Sequence, residues 1–113
     1  MSFFQSEVVR AELTEIQELQ EEVYGKIMEF PTMDIEDKKC HVDLLERLIN
    51  KQQILYTRLS LSDDPAAQKM KKEVEEGARK MGLPSNVDLN ILFANMNNMV
   101  EMMKNQIDKE STP

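Results

Sequence analysis

The sequence predicts an all-α fold, an elongated antiparallel bundle of about four helices, two long and two shorter. Three observations carry that prediction. Leu, Glu, Lys, Gln, Met and Ala, all good helix formers, dominate the 113 residues, with no tryptophan and only three glycines. Apolar residues recur at spacings of three and four, and no stretch shows the two-residue alternation of a half-buried strand. Three short segments, EFPTMD, LSDDPA and MGLPSN, each place a proline or glycine where a helix must stop or start. At this length one domain over 1–113 is expected.

The first helix is expected over 3–30. Ser2 and Gln5 have the spacing of a capping box, and Pro31 disfavours helical backbone at the residue before it. Val9, Leu13, Ile16, Gln20, Val23, Ile27 and Phe30 step alternately by four and three, a seam with one polar position. The second helix, 35–61, opens on Asp34 with Asp37 three residues later. Its apolar face of Val42, Leu44, Leu45, Leu48, Ile49, Leu55, Tyr56 and Leu59 covers about half the circumference, so it needs more than one neighbour and belongs at the centre.

The third helix, 65–81, is capped by Asp63 or Asp64 with Pro65 in its first turn, and Gly82 suits the position just past its end. Its stripe of Ala67, Met70, Val74, Ala78 and Met81 is thin, with support expected from Glu75 to Arg79 and Glu76 to Lys80 pairs. The fourth helix, 86–109, opens on Ser85 and Asp88 and fades into a polar tail, 110–113.

Net charge is −7, and residues 1–30 hold seven acidic against two basic side chains, so the acidity belongs mainly to the first helix. That leaves no basic face to neutralise phosphates, and direct nucleic-acid binding is not expected. Glu15, Glu18, Glu21 and Glu22 fall on the side of the first helix away from its seam, either as a solvated back or as a docking face for a basic partner. The lone Cys40 excludes an internal disulfide and fits a reducing compartment. No apolar run approaches the ~18 residues of a membrane span, and MSFFQSEVV lacks a basic start, so a cytoplasmic protein without membrane contact is expected.

Enzymatic chemistry has little to work with. The one histidine, His41, follows Cys40 directly, which sets the two side chains about 100° apart on a helix and prevents a nucleophile and base pair. Zinc-ligand spacing, Glu-x-x-His pairs, a P-loop and a Gly-x-Gly-x-x-Gly turn are absent from the sequence. No catalytic residue, cofactor or metal is expected. Met96, Met99 and Met103 share one side of the fourth helix and are soft enough for Cu(I), but the same spacing serves a core and no histidine or cysteine lies near.

The fourth helix carries two lines. Leu89, Phe93, Met96, Val100, Met103 and Ile107, widened by Leu92 and Met99, form a core stripe. Ile91, Asn95, Asn98, Met102 and Asn105 form a second line more than about 90° away. Asparagines at core-like positions are costly inside a monomer but suit an interface, where they fix register and partner, and methionine adds a contact that repacks. A homodimer or partner seam is the functional reading of this line; an exposed polar side is the plain one.

The opening FFQSEVV, the segment LERLINKQQILYTRLSLSDDP and the closing LFANMNNMVEMMK together give the chain a resemblance to a small helical family, a domain of unknown function of cyanobacteria and their tailed phages. The resemblance implies a cytosolic cyanobacterial or cyanophage protein and supplies no site residues. Taken together, these readings predict a non-enzymatic helical interaction module, a homodimer acting as adaptor or regulator of a larger host or phage complex. Two alternatives stand beside it: an acidic nucleic-acid mimic that inhibits a basic host protein, and a structural component of a phage assembly.

Overall fold

The computed structural model describes residues 2–84, 86 and 88–111. Among them there are four α-helices and no strand: α1 Glu7–Lys26, α2 Ile35–Leu61, α3 Pro65–Lys80 and α4 Leu89–Ser111. No helix of the described residues is long and apolar enough to cross a membrane. The molecule is elongated and flat, 55 × 33 × 20 Å, with a radius of gyration of 16.2 Å against about 13 Å for a compact chain of this length.

The first helix is shorter than the expected 3–30. The Ser2 and Gln5 pairing forms, the Ser2 N–H donating to Gln5 Oε1 at 3.2 Å, but it closes only a 3-10 turn, Phe3–Gln5. Ser6 is extended, and its hydroxyl accepts from Val9 N–H to start α1. At the other end α-helical geometry stops at Lys26, and a 3-10 segment, Ile27–Thr32, carries the chain through Pro31. The tighter 3-10 winding turns successive side chains by ~120° instead of ~100°. Ile27, the first residue of that segment, is 50% exposed, while Val9, Ile16, Leu19 and Val23 are buried.

The remaining caps follow local chemistry. Asp34 accepts from Asp37 N–H at 2.8 Å to open α2, and Asp64 accepts from Ala66 N–H at 2.9 Å to open α3. Gly82 has φ +111, and beyond the last turn of α3 the N–H groups of Gly82 and Leu83 donate to the carbonyls of Arg79 and Ala78. This is the Schellman ending that a glycine permits. Met81 lies beyond the helix and is 91% exposed, outside the stripe expected of it. Asp88 accepts from Asn90 N–H at 2.9 Å at the start of α4; Ser85, expected to share that cap, lies outside the described residues, as do 112–113 of the tail, whereas Glu110 and Ser111 continue the helix. Neither expected pair on α3 forms among the described residues: Glu75 instead accepts from the Tyr56 hydroxyl at 3.3 Å.

α2 is the axis of the fold. Its Leu48, Leu55 and Leu59 join Ile16, Leu19 and Val23 of α1 and Ala67 of α3 in one core. Its Val42, Ile49 and Tyr56 join Leu89, Phe93, Val100 and Ile107 of α4 in a second. Those two lines on α2 lie roughly 100° apart, so α1 and α4 approach it on different sides. Ion pairs fix both directions as antiparallel: Lys51 to Glu15 at 2.9 Å and Arg58 to Glu12 at 3.3 Å on the α1 flank, Lys38 to Glu110 at 3.1 Å and Lys104 to Glu46 at 2.8 Å on the α4 flank. These pairs are partly exposed and screened by solvent, so burial holds the helices and the charges set register.

Candidate functional site

Because α1 and α4 meet α2 on lines roughly 100° apart, the wedge between them is left partly open. Leu45 of α2 packs against both cores and fills the wedge at its level. Two turns on, the same face of α2 presents Gln52, and here a groove of about 910 Å³ opens. Leu13, Ile16, Gln17, Gln20 and Tyr24 of α1 form one wall, and Leu89, Leu92, Phe93 and Met96 of α4 the other. Gln52, Leu55, Tyr56 and Leu59 make the floor, and α3, with the turn after it, closes one side through Met70, Val74, Ala78, Met81 and Leu83.

None of the 21 described residues lining the groove is charged, although 31% of the chain is Asp, Glu, Lys or Arg. The lining is apolar apart from three glutamines and two tyrosines. Tyr56 is buried, its ring centroid 6.0 Å from that of Phe93. Burial, with the charge of Glu75 next, raises its phenol above the usual range, so it stays protonated and acts as a donor. A surface of this kind takes an apolar body with a few neutral hydrogen-bonding groups and rejects unpaired charge.

The second line of α4 is on the outer side of the helix, away from α2. Ile91 is 52% and Met102 70% exposed, and Asn95, Asn98 and Asn105 are exposed beside them. Met96 and Met103 pack against the second core as expected, but Met99 does not: it is 62% exposed, because at ~100° per residue it falls past Leu92 on the groove side of the stripe. From Leu89 to Val100 α4 carries no charged residue. Its surface therefore runs uncharged from the groove wall over Met99 to the outer line.

On α1, Glu15 is drawn to Lys51 and is half-buried, whereas Glu18, Glu21 and Glu22 are exposed and make no ion pair among the described residues. His41 is buried at 4% exposure against the Phe30 ring, its Nδ1 without a hydrogen-bond partner, and Cys40 beside it is exposed. Among the described residues no group of three or more His, Cys, Asp or Glu is placed to hold a metal ion.

Periodicity identifies each wall of the groove as a core-facing helix but not the opening between them. The signal that marks it is the run of neutral polar residues Gln17, Gln20 and Gln52 at positions where this chain elsewhere uses leucine on the inside or glutamate on the outside. A family model described as a domain of unknown function (DUF1825) matches residues 1–107. No curated protein and no solved structure matches the chain.

Proposed function

The chain belongs to that family, DUF1825, over residues 1–107, and from this premise we propose that it is a non-enzymatic helical interaction module, an adaptor or regulator within a larger host or phage complex that works as a homodimer. The observation that carries the reading is the uncharged groove, open on one side and lined by all four helices. A helical domain that leaves a wedge of its own core open gains by accepting an apolar helix face there, the helix-in-groove mode of recognition. The groove offers two tyrosines and three glutamines but no carboxylate, imidazole or thiol, which favours binding over catalysis. The cytoplasm of a cyanobacterium, or of one infected by a tailed phage, is the setting this reading takes from the resemblance in sequence.

A second reading rests on Glu18, Glu21 and Glu22, three exposed carboxylates on the outer side of α1 that make no ion pair among the described residues. They suit a basic protein surface that otherwise meets phosphates. The two readings differ in salt dependence, because exposed charge is screened and apolar burial is not. Quantitative capture from cyanobacterial lysate by the full chain, at low and high salt, tests them. Capture that persists at high salt and is lost in Gln52→Lys supports the groove; capture that collapses with salt and with Glu18→Gln, Glu21→Gln and Glu22→Gln together supports the acidic face.

A further inference from the structure

The groove has a floor from α2, walls from α1 and α4, one side closed by α3, and no cover. We propose that a second copy of this chain covers it, the outer line of α4 in each copy lying in the groove of the other. The inference rests on the interaction-module reading and names the surfaces that meet.

Chemistry selects the partner first. Any charge brought into this groove without a counter-charge is desolvated at a cost, so the occupant needs an uncharged helical face. The chain owns such a face in Ile91, Asn95 and Asn98, exposed on the stretch of α4 that is uncharged from Leu89 to Val100, and Met102 continues the line one residue past Glu101, which sits at its edge. Its asparagines match the glutamines of the groove, as neutral groups that both donate and accept.

Length agrees as well. From Leu13 to Tyr24 along α1 the groove wall spans eleven residue steps, and from Ile91 to Met102 the face on α4 spans the same number, ~16 Å in each case.

Geometry makes the contact reciprocal. Around α4 the buried residues Leu89, Val100 and Ile107 face its own α2, and Asn98 and Met102 lie roughly opposite. The groove-side residues Leu92 and Met99 lie between them. A two-fold axis beside Met99 sets the two α4 helices side by side between the two α2 helices, each filling the wedge of the other. Such a self-complementary contact is isologous and closes at two copies.

The shape leaves more surface exposed than a compact chain would. A compact monomer of 13.1 kDa exposes about 6,400 Å², and this chain exposes 7834 Å². The excess is larger than the ~800 Å² that each partner contributes to a stable interface of standard size.

The test uses the full chain with a charge placed on each surface separately. Size exclusion with light scattering is expected to give wild type twice the 13.1 kDa chain mass at micromolar concentration. Gln52→Lys in the groove and Asn98→Glu on the outer line should each weaken self-association by at least about tenfold while helicity by circular dichroism is unchanged. An equimolar mixture of the two variants should regain a dimer, because one lysine groove then receives one glutamate face and the other contact is wild type. A monomeric wild type overturns the inference, and so does a dimer that Gln52→Lys leaves intact or a mixture that stays monomeric. If Gln52→Lys unfolds the chain, Gln20→Lys on the α1 wall replaces it in the same scheme. The broader module reading fails separately, when Gln52→Lys and the three Glu→Gln changes on α1 all leave capture from lysate unaltered.

Discussion

The backbone N–H of Phe3 donates to Oδ2 of Asp64, a contact across 61 residues that fastens the N-terminal turn to the start of α3. The other oxygen of the same carboxylate caps α3 through Ala66 N–H. Asp64 thus joins the N-terminal turn to α3, and the Phe3 donor foremost, then Ala66, holds its carboxyl below the ordinary value of 3.8. A carboxyl with a depressed folded pKa contributes stability that is present above the unfolded value and lost as pH falls through the folded one. Asp64→Ala is therefore expected to lower the urea midpoint near neutral pH, and the gap from wild type should shrink as the buffer is taken below 3.8. A gap that stays constant with pH would mean the carboxylate charge contributes nothing.

His41 responds in the same direction of pH for a different reason. Burial, and after it the charge of Lys26, lowers its pKa from 6.5, so the fold holds the imidazole neutral. Below 6.5 the unfolded chain binds the proton more readily, and stability is lost as pH falls from 6.5 towards the folded value. Substituting His41→Leu should flatten that part of the stability profile. It should also remove the unpartnered Nδ1, a change worth about 1 kcal/mol in favour of the variant under mildly acidic conditions. Urea titrations on both sides of 6.5 measure both effects.

Much of this fold is legible in the sequence where one residue decides one event. Asp34 and Asp64 set helix starts, and Gly82 sets a stop, because capping is local. The face of α2 is legible for the same reason, since a stripe that wide has to meet two neighbours. What escaped was collective. Ser6 ends the first turn and begins α1, although Ser2 has Gln5 at the capping-box offset and Ser6 has only Val9 there. Pro31 predicts where the helix ends, yet the chain leaves α-geometry at Lys26 and passes the proline in a 3-10 segment. The groove depends on the angle between two lines on α2, which decides whether α1 and α4 close over Gln52. Neither outer helix encodes that angle alone.

Gly82 provides a backbone prediction that is independent of any contact. Its φ of +111 is unfavourable for any L-residue with a Cβ, although beyond the adjoining residues no described atom stands within 4 Å of where that Cβ would be. The cost of Gly82→Ala is therefore conformational alone, about 1–2 kcal/mol. Gly82→Asn should cost less, since asparagine tolerates positive φ better than alanine. Chemical denaturation of the two variants orders them, and equal losses would point to a lost contact instead.

Phe93 and Met99 share the apolar stripe on α4 but do not share its fate. Phe93 is 6% exposed against Tyr56, and Phe93→Ala should cost about 3–5 kcal/mol, a large part of the stability of a domain this size. Met99 is 62% exposed, and Met99→Ala should change the folding of a single chain by no more than about 0.5 kcal/mol. The two changes also differ in what protein concentration does to them. When an interface forms between copies, stability rises with concentration by mass action. A residue beside the two-fold contact contributes to that rise alone, whereas Phe93, which lines the groove as well as the core, contributes both to the rise and to the folding of a single chain. Met99→Ala should therefore leave the urea midpoint at high dilution unchanged and flatten its increase with concentration, whereas Phe93→Ala should lower the midpoint at every concentration.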